Sequence, residues 1–315
     1  LKAGDFPINK NGDYVTNRSF CPFCEGNEAF TTEEIMAVRD QDSPPNTAGW
    51  KIRLIPNKFS AFKLQGDLNL NRTGIYSNYS GLGTHEVLIE TPKHNEEFHQ
   101  LSIRDMVLIY TMMQQRYSQL ARDPRIKYIQ VYKNRGLFAG ASLEHSHSQI
   151  MGLPIIPQNI PGVIEHYRNT GECLICSIVK QERETGVRIV SETDHFLLLC
   201  PYASRFSYES WIIPKRHIEH FSNLNDREIE NLSRLMKRLL NGLVKALSNP
   251  SYNIIINTAP VNVPYEGGYH CYIEINPRLI ISAGAEISTG YYVNPAAPEI
   301  SASLLRSKLD DEIAE

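Results

Sequence analysis

Apolar side chains recur at helical spacing in two long stretches of the chain, residues 106–120 and 229–243. In both stretches, successive apolar positions lie three or four residues apart, which corresponds to one face of an α-helix. We therefore predict two amphipathic helices, each with its apolar face buried. The apolar positions are Met106, Ile109, Met113, Tyr117 and Leu120, and then Ile229, Leu232, Met236, Leu240 and Leu243.

Short runs rich in apolar residues flank each predicted helix. They occupy residues 86–90 and 128–132 around the first helix, and residues 210–213 and 252–256 around the second. Such runs are typical of β-strands. Only seven or eight residues separate each helix from the run that follows it, too few for another long helix. Each half of the chain is therefore predicted to be an α+β unit, in which one long helix packs on a sheet.

The two units match one another at a shift of about 123 residues, which indicates an internal repeat. The segment 91–94 (TPKH) aligns with 214–217 (PKRH). Each helix also follows a residue suited to capping, Ser102 or Asn225, with an acidic residue three positions later.

The repeat suggests a division into two domains, residues 1–157 and 158–315. The segment 155–171 contains several Pro and Asn residues and is predicted to be the linker between them. The segment 40–48, with two prolines and an Asn, is predicted to be a surface loop.

Composition excludes several classes of protein. Hydrophobic residues make up 42% of the 315 residues and charged residues 21%, close to the average for globular proteins. No apolar run approaches the roughly 18 residues that a transmembrane helix needs, and residues 1–10 carry no signal-peptide pattern. The net charge of -3 argues against nucleic acid as an obligatory partner. We therefore expect a cytoplasmic protein that binds neither membrane nor nucleic acid.

Four of the six cysteines form two Cys-x-x-Cys pairs. In a large chain without a secretion signal, this spacing favours metal ligation over a disulfide framework. Two histidines accompany each pair at matching positions of the repeat, and two thiolates with two imidazoles suit a closed, structural zinc site. The predicted zinc ligands are Cys21, Cys24, His94 and His145 in the first half, and Cys173, Cys176, His217 and His270 in the second.

The alternative is that these cysteines are packing residues and these histidines ordinary surface residues. The recurrence of the set in register favours the metal interpretation. The two remaining cysteines, Cys200 and Cys271, have apolar neighbours and are predicted to be small buried hydrophobes.

The run His-Ser-His-Ser-Gln at 145–149 aligns with His-Cys-Tyr-Ile-Glu at 270–274. The first histidine occurs in both copies, whereas the second, His147, is replaced by Tyr272. We expect His145 to face a metal and His147 to face a substrate, on opposite sides of a strand. A neutral imidazole attacks phosphorus readily and divides one transfer into two easier steps. Alone, His147 would more simply be a buried histidine with satisfied hydrogen bonds.

The segment before this run is rich in small residues, with Asn134 and Gly136 followed by Gly140 and Ser142. Glycine lets a backbone approach a phosphate closely. Ser142 and Gln149 can donate hydrogen bonds to phosphoryl oxygens, where charge develops during transfer. These are also ordinary loop residues, so the segment supports a phosphate site only together with His147.

These motifs together resemble those of the galactose-1-phosphate uridylyltransferase family of the histidine-triad superfamily. The family pattern is Asn-x-Gly, then a stretch of small residues ending in Ser, then His-x-His-x-Gln. The resemblance extends from Cys21 to about Pro298. The His-Ser-His-Ser-Gln form looks especially like the plant-type branch that acts on ADP-glucose. It implies tandem histidine-triad-like halves, each an antiparallel sheet with a long packed helix.

The resemblance implies a hexose-1-phosphate nucleotidyltransferase with ping-pong kinetics. His147 would attack the α-phosphate of a nucleoside diphosphate sugar, form a nucleotidyl-histidine and release hexose-1-phosphate, while Gln149 holds the phosphate. The family is dimeric with shared sites, and its zinc ions, two per chain in this branch, are structural. The implied substrate contacts are of three kinds. Asn57 would contact the base and ribose, and Glu286 would contact the hexose bound by the partner subunit. The nucleotide phosphates would be contacted by Asn134, Gly136 and Ser142.

The chain departs from the family where many members bind iron, because Tyr272 and Glu274 stand in place of histidines. We therefore predict no iron. Three alternatives stay open: an ADP-glucose phosphorylase with phosphate as acceptor, a nucleotide hydrolase, and a non-catalytic zinc-held scaffold. Hydrolases of the superfamily carry a third histidine at the position of Gln149, and Gln cannot transfer a proton, so this residue favours transfer over hydrolysis.

Overall fold

The computed structural model describes residues 20–40, 42–60, 62–264, 267–281 and 283–310. The expected absence of a signal peptide at residues 1–10 lies outside this range. The strands within it are β1 (Met36–Arg39), β2 (Trp50–Pro56), β3 (Leu70–Thr73), β4 (Tyr76–Tyr79), β5 (Thr84–Ile89), β6 (Tyr128–Arg135), β7 (His147–Leu153), β8 (Ile189–Glu192), β9 (Phe196–Leu199), β10 (Ser210–Pro214), β11 (Tyr252–Asn257) and β12 (Tyr272–Pro277). The helices are α1 (Ile103–Leu120), α2 (Ile160–Thr170), α3 (Leu174–Thr185), α4 (Asp226–Leu247), α5 (Gly284–Thr289) and α6 (Pro298–Asp310).

Ten of these strands form one continuous antiparallel sheet, in the order β1-β2-β5-β7-β6-β11-β12-β10-β9-β8. Both halves contribute five strands in the same relative order, β1-β2-β5-β7-β6 from one edge and β8-β9-β10-β12-β11 from the other. The two halves meet where β6 pairs with β11, with Tyr132 opposite Ile255 and Asn134 opposite Asn253. The predicted α+β halves are therefore confirmed, and they share a single sheet. The division at residue 157 stays a prediction.

The two predicted amphipathic helices are α1 and α4, and both begin at the predicted caps. The Ser102 side chain accepts a hydrogen bond from the Asp105 N–H. Asn225 and Glu228 form a reciprocal capping box, which satisfies two N–H groups that a helix start leaves unpaired. α1 and α4 pack against each other and bury every predicted apolar position on one face of the sheet. Cys200 and Cys271 are buried as predicted.

The opposite face of the sheet is covered only in patches. Side chains two residues apart in a strand share a face. Ile150 and Leu88 belong to the core under α1 and α4, so their neighbours His147, Gln149 and Val87 point to the opposite face. One patch there consists of Trp50, Ile55, Val87 and Ile89, with Phe23 packed against it. The second half carries a matching patch beneath α3. We call this second face, which bears the predicted catalytic residues, the open face.

The predicted linker at 155–171 contains a helix. Residues 160–170 form α2. Ile160 is fully buried beside Tyr128, Ala259 and Tyr269, and the partly buried Val163 and Ile164 pack on this cluster. Burial of these apolar residues outweighs the Pro and Asn content, and Pro161 sits in the first turn, where proline needs no N–H partner. Among the described helices, none is long and apolar enough to cross a bilayer.

Candidate active site

The four predicted ligands of the first half converge at one end of the open face. Cys21 and Cys24 lie in a turn before β1, His94 lies in the loop after β5, and His145 lies just before β7. Their ligand atoms all lie within 4.8 Å of one another. The Nδ1 of His145 is 3.6 Å from the Cys21 Sγ and 3.7 Å from the Cys24 Sγ, and the Nδ1 of His94 is 3.5 Å from the Cys24 Sγ. This cluster could hold a metal ion.

Hydrogen bonds to backbone carbonyls determine the tautomers of the two histidines in the motif. The Nε2 of His145 lies 2.7 Å from the carbonyl oxygen of Thr91, which can only accept, so Nε2 carries the proton and Nδ1 faces the thiols. His147 has the opposite arrangement. Its Nδ1 donates to the carbonyl oxygen of His145 at 2.8 Å, so the lone pair of the neutral ring is on Nε2.

The two histidines do not lie on opposite sides of a strand, and that prediction is wrong. Residues two apart in a strand point to the same side, and β7 begins only at His147, which leaves His145 outside it. The Phe23 ring contacts both, with ring centroids 6.1 Å from His145 and 5.5 Å from His147. The two rings differ instead in their tautomers and in their position, since only His147 belongs to β7.

A buried ion pair supports the backbone on either side of His147. The Lys133 Nζ donates to Glu90 at 2.6 Å, to the Ser146 hydroxyl at 3.0 Å and to the carbonyl oxygen of His147 at 3.0 Å. Both Ser146 and Ser148 donate to the Glu90 carboxylate. The carboxylate and the ammonium group thus hold three consecutive residues of the motif. Burial lowers the pKa of His147, and the nearby Lys133 cation lowers it further, which favours the neutral imidazole.

His147 lines a cavity of about 280 Å³ together with Asn134, Gly136 and Lys133. The Oδ1 of Asn134 accepts a hydrogen bond from Asn253 of the second half at 2.8 Å, so its amide nitrogen is the end presented to a ligand.

Local backbone geometry explains why glycine occupies two positions of the small-residue segment. Gly136 has a φ of 84°, and a Cβ there would lie 2.2 Å from the Ser251 hydroxyl. Gly140 ends a 3-10 turn in the left-handed region. Both positions therefore need glycine for the backbone itself, before any ligand is considered.

Gln149 and Asn57 meet in a second polar cluster on the same face. The Gln149 Oε1 is 2.6 Å from the His85 Nε2 and 3.0 Å from the Tyr132 hydroxyl. The Asn57 Nδ2 is 3.3 Å from the same His85 nitrogen. His85, on β5, thus joins two residues that the sequence predicted to contact substrate from separate positions.

Two predicted substrate residues do not line the cavity that contains His147. Ser142 is exposed in the segment before β7. Glu286 lies in α5, and its carboxylate accepts the N–H of Ala283 at 2.9 Å. It lines a different, small cavity with Arg205 and Tyr292. One chain therefore does not bring Glu286 to the cavity that contains His147.

The four predicted ligands of the second half also converge, with their ligand atoms within 4.8 Å of one another. The Cys176 Sγ is 3.2 Å from the His217 Nδ1 and 3.4 Å from the His270 Nδ1. This second cluster could also hold a metal ion. Its His270 lies just before β12, as His145 lies just before β7.

The second half has no nucleophile at the position of His147. Tyr272 packs against the Trp211 ring, and burial raises the pKa of its hydroxyl. Glu274, at the position of Gln149, pairs with Arg205 and accepts from Asn276. The position that corresponds to Gln149 is thus taken up by an ion pair.

Sequence reasoning missed His85, Tyr132, Glu90 and Lys133. For the last two a signal existed. Each is a charged residue two positions after a buried apolar residue, Glu90 after Leu88 and Lys133 after Val131, so alternation places both on the helix-covered face. Buried charges are retained only when paired, so the pattern indicates an ion pair. No comparable signal identifies His85, because its contact with Gln149 depends on strand register.

Comparison with known proteins places the chain beside a group of transferases. Residues 46–157 match the family described as galactose-1-phosphate uridyl transferase, N-terminal domain, and residues 162–290 match the corresponding C-terminal domain. The chain is 36% identical to the ADP-glucose phosphorylase of Arabidopsis thaliana over 302 residues, which is 91% of this chain and 82% of that protein. It is 30% identical to the galactose-1-phosphate uridylyltransferase of Thermotoga maritima over 251 residues, 76% of this chain and 78% of that one.

Solved structures show the same relationship. The Arabidopsis thaliana ADP-glucose phosphorylase with bound ADP-glucose superposes with a TM-score of 0.78 at 34% identity, covering 91% of this chain and 89% of that chain. A uridylyltransferase structure superposes with a TM-score of 0.80, covering 96% and 98% of the two chains. At 23% identity, this second match shows a shared fold.

The ion pair of Glu90 and Lys133 gives a prediction about stability. We expect Glu90→Leu to lower the free energy of unfolding by about 3–5 kcal/mol, because it leaves the Lys133 ammonium buried and unpaired. The double variant Glu90→Leu/Lys133→Met removes both charges and should recover much of that loss. Urea denaturation followed by circular dichroism measures both.

The matched control is the exposed pair Glu230 and Arg234 on α4. Glu230→Leu should change the free energy of unfolding by less than about 1 kcal/mol, since exposed pairs contribute little. A double variant as unstable as Glu90→Leu alone would contradict the assignment of the loss to an unpaired charge.

Proposed function

Because the chain belongs to the galactose-1-phosphate uridyl transferase family and is a nucleotidyltransferase, we propose that it transfers the nucleotidyl group of a nucleoside diphosphate sugar through His147. The observation that supports this is the hydrogen bond from the His147 Nδ1 to the carbonyl oxygen of His145. It directs the lone pair of Nε2 away from the backbone, on a residue that lines the cavity. The Nε2 atom is therefore the proposed nucleophile.

The first half-reaction forms a bond between the His147 Nε2 and the α-phosphorus. The bond from that phosphorus to the bridging oxygen breaks, and hexose-1-phosphate leaves with the electron pair. The substituted imidazole carries a positive charge while its Nδ1–H still donates to the His145 carbonyl. A carbonyl oxygen that is already in place stabilises this charge without reorganisation.

The second half-reaction reverses these bond changes with another phosphate. An oxygen of the acceptor attacks the same phosphorus, the phosphorus–nitrogen bond breaks, and the electron pair returns to Nε2. The carbonyl oxygens of Gln149 and Asn134 already accept from protein groups, which leaves their amide hydrogens as the proposed donors to the phosphoryl oxygens. No proton transfer is required, which agrees with Gln149 in place of a general acid.

Two acceptors fit this chemistry, and we propose that hexose-1-phosphate is the acceptor used. The name of the similar Thermotoga maritima protein, galactose-1-phosphate uridylyltransferase, indicates an acceptor of this kind. The second candidate is inorganic phosphate with ADP-glucose as donor, and the specific observation in its favour is the 36% identity to an ADP-glucose phosphorylase over 91% of this chain.

We propose that both Cys₂His₂ clusters hold structural zinc. With bonds of about 2.3 Å to sulfur and 2.0–2.1 Å to nitrogen at tetrahedral angles, the ligand sulfur and nitrogen atoms should lie about 3.6 Å apart. The first cluster has 3.5, 3.6 and 3.7 Å, and the second has 3.2 and 3.4 Å, slightly tighter. Burial and the neighbouring Cys21 raise the pKa of Cys24 to about 11, so this donor set needs a cation to become thiolate.

The role of the first cluster is to hold His145 in place. Zinc bound there would have all four positions filled by protein and would add stability to the fold without taking part in transfer. The backbone carbonyl of His145 then keeps its position against the His147 Nδ1. All six cysteines are free thiols, and a reducing cytoplasm, where we place the enzyme, preserves such ligands.

We also propose a homodimer in which Glu286 reaches the partner's substrate. The segment around α5 exposes a dense set of apolar side chains, and contiguous exposed patches of this kind mark interaction sites. Within one chain, Glu286 and His147 line separate cavities. The exposed residues are Leu279, Ile280, Ile281, Ile287, Tyr291, Tyr292 and Val293.

A labelling experiment tests the transfer mechanism. UDP-glucose and ADP-glucose, each labelled at the α-phosphate, are incubated separately with the protein. We expect one of them to leave acid-labile label on the chain, and His147→Ala to abolish it because the nucleophile is lost. A chase with galactose-1-phosphate or inorganic phosphate identifies the acceptor.

The control for labelling is His166→Ala, a histidine of α2 outside the site, which should label normally. Absence of label from both donors, or label that survives His147→Ala, would contradict the mechanism.

Metal analysis tests the zinc proposal. We expect two zinc ions per chain, one for each cluster. Cys24→Ala should lose one ion and label poorly, because His145 is released, whereas Cys176→Ala should lose one ion and label better than Cys24→Ala. His147→Ala should retain both ions. A full chain without zinc, or with iron in its place, would refute the proposal.

Light scattering tests the dimer. The wild type should have the mass of two chains, and Ile281→Asp should have the mass of one, because a charge in the apolar patch opposes burial. The matched control, Ile75→Asp, changes an isoleucine that is 92% exposed outside this patch and should leave the mass unchanged. A wild-type monomer would rule out shared sites.

A further inference from the structure

His85, Tyr132 and Gln149 lie on three neighbouring strands and point to the same face of the sheet. Tyr132 of β6 is directly opposite Gln149 of β7. On the other side, β5 pairs with β7 so that Val87 is opposite Gln149 and His85 is opposite Met151. His85 is therefore the diagonal neighbour of Gln149, within reach of long side chains.

Both neighbours approach the same atom of Gln149. The Oε1 is 2.6 Å from the His85 Nε2 and 3.0 Å from the Tyr132 hydroxyl. A carboxamide oxygen only accepts hydrogen bonds, so both neighbours must act as donors. Burial raises the pKa of Tyr132 to about 12, which keeps its hydroxyl protonated at neutral pH.

The shortest contact of the cluster favours a proton on the His85 Nε2. The Asn57 amide nitrogen faces the same atom at 3.3 Å, because the Asn57 Oδ1 accepts the N–H of Phe59 at 2.9 Å. With a proton on Nε2, these two groups are both donors and make no hydrogen bond to each other. A lone pair on Nε2 would accept from Asn57, but it would leave two acceptors facing each other at 2.6 Å in the contact with the Gln149 Oε1. A proton on Nε2 instead satisfies the shortest contact in the cluster, the one to Gln149.

We propose that His85 is a positioning residue for nucleotidyl transfer, which, together with Tyr132, holds the Gln149 amide so that its NH₂ group faces the phosphate. This inference rests on the proposed function, in which Gln149 binds the phosphate. Nothing in the sequence repeat or in the motif around His147 assigns a role to His85.

The physical need for such a residue follows from the symmetry of the amide group. The terminal torsion of a glutamine side chain has two broad wells that differ by an exchange of oxygen and nitrogen. In the reversed state, the amide oxygen would face the negatively charged phosphoryl oxygens and repel them. Two donors at the oxygen select the productive state before substrate binds, which removes the cost of reorientation during transfer.

The test is the rate of label formation from the active α-labelled donor in a single turnover. Gln149→Ala should slow it by about 100-fold or more, as loss of one donor to the developing charge does. His85→Ala should slow it by about 10- to 100-fold through misplacement of that donor. His85→Gln should restore most of the rate, because its amide nitrogen can donate from nearly the same position as Nε2.

A double-mutant cycle distinguishes positioning from a general structural effect. If His85 acts through Gln149, the variant His85→Ala/Gln149→Ala should be no slower than Gln149→Ala alone. His166→Ala serves as the matched histidine control and should label at the wild-type rate. Circular dichroism of each variant verifies the fold.

Three results would overturn the inference: wild-type labelling by His85→Ala, wild-type labelling by Gln149→Ala, or rate losses that multiply in the double variant. The proposed function fails separately, when the wild type forms no label or when His147→Ala still does. If the wild type and His85→Ala both label normally, the positioning role of His85 is contradicted and the proposed function is not.

Discussion

The hydrogen bond between the His147 Nδ1 and the backbone carbonyl of His145 links the two kinds of chemistry in the first half. On one side of it, the His145 ring turns its Nδ1 to two thiols and donates from Nε2 to Thr91. On the other side, His147 is left with its lone pair on Nε2. With a metal ion in the four-residue cluster, as we propose, this peptide carbonyl would transmit the rigidity of the cluster to the proposed nucleophile, because a carbonyl anchored at its own side chain cannot easily move.

The buried charges beneath the motif determine its backbone conformation and do not simply add stability. Glu90 and Lys133 are almost fully buried, and removing two charges from water costs several kcal/mol that their attraction offsets only with good geometry. Here the remaining hydrogen bonds go to Ser146, Ser148 and the carbonyl of His147. The apolar alternative could hold the strands together equally well, but it would leave the backbone around His147 without directed bonds. The charges thus determine the conformation of a short segment.

Duplication explains why one half can specialise while the other supports it. The ten-stranded sheet has the same strand order from both ends, and β6 and β11 join the halves at its centre. Each half keeps a long capped helix and a cluster of two thiols and two imidazoles. Across the junction, Asn253 of the second half orients the Asn134 amide of the first. The second half therefore contributes to the site even though Tyr272 and Glu274 have replaced its counterparts of His147 and Gln149.

The sequence alone determined the features that depend on local periodicity and on repetition. The stripes of α1 and α4, their caps at Ser102 and Asn225, and both four-residue clusters were all predictable. Helix periodicity and capping act over three or four residues, and a repeat displays every ligand twice.

Only the tertiary structure decided the features that depend on strand register and on burial. It formed α2 within the predicted linker, since apolar contacts there outweigh the Pro and Asn content of the segment. It placed His145 outside β7, and the tautomers of the two histidines followed from carbonyl groups that no sequence pattern reveals. It also brought His85 to Gln149, because a shift of one residue in the pairing of β5 with β7 would have turned His85 to the other face.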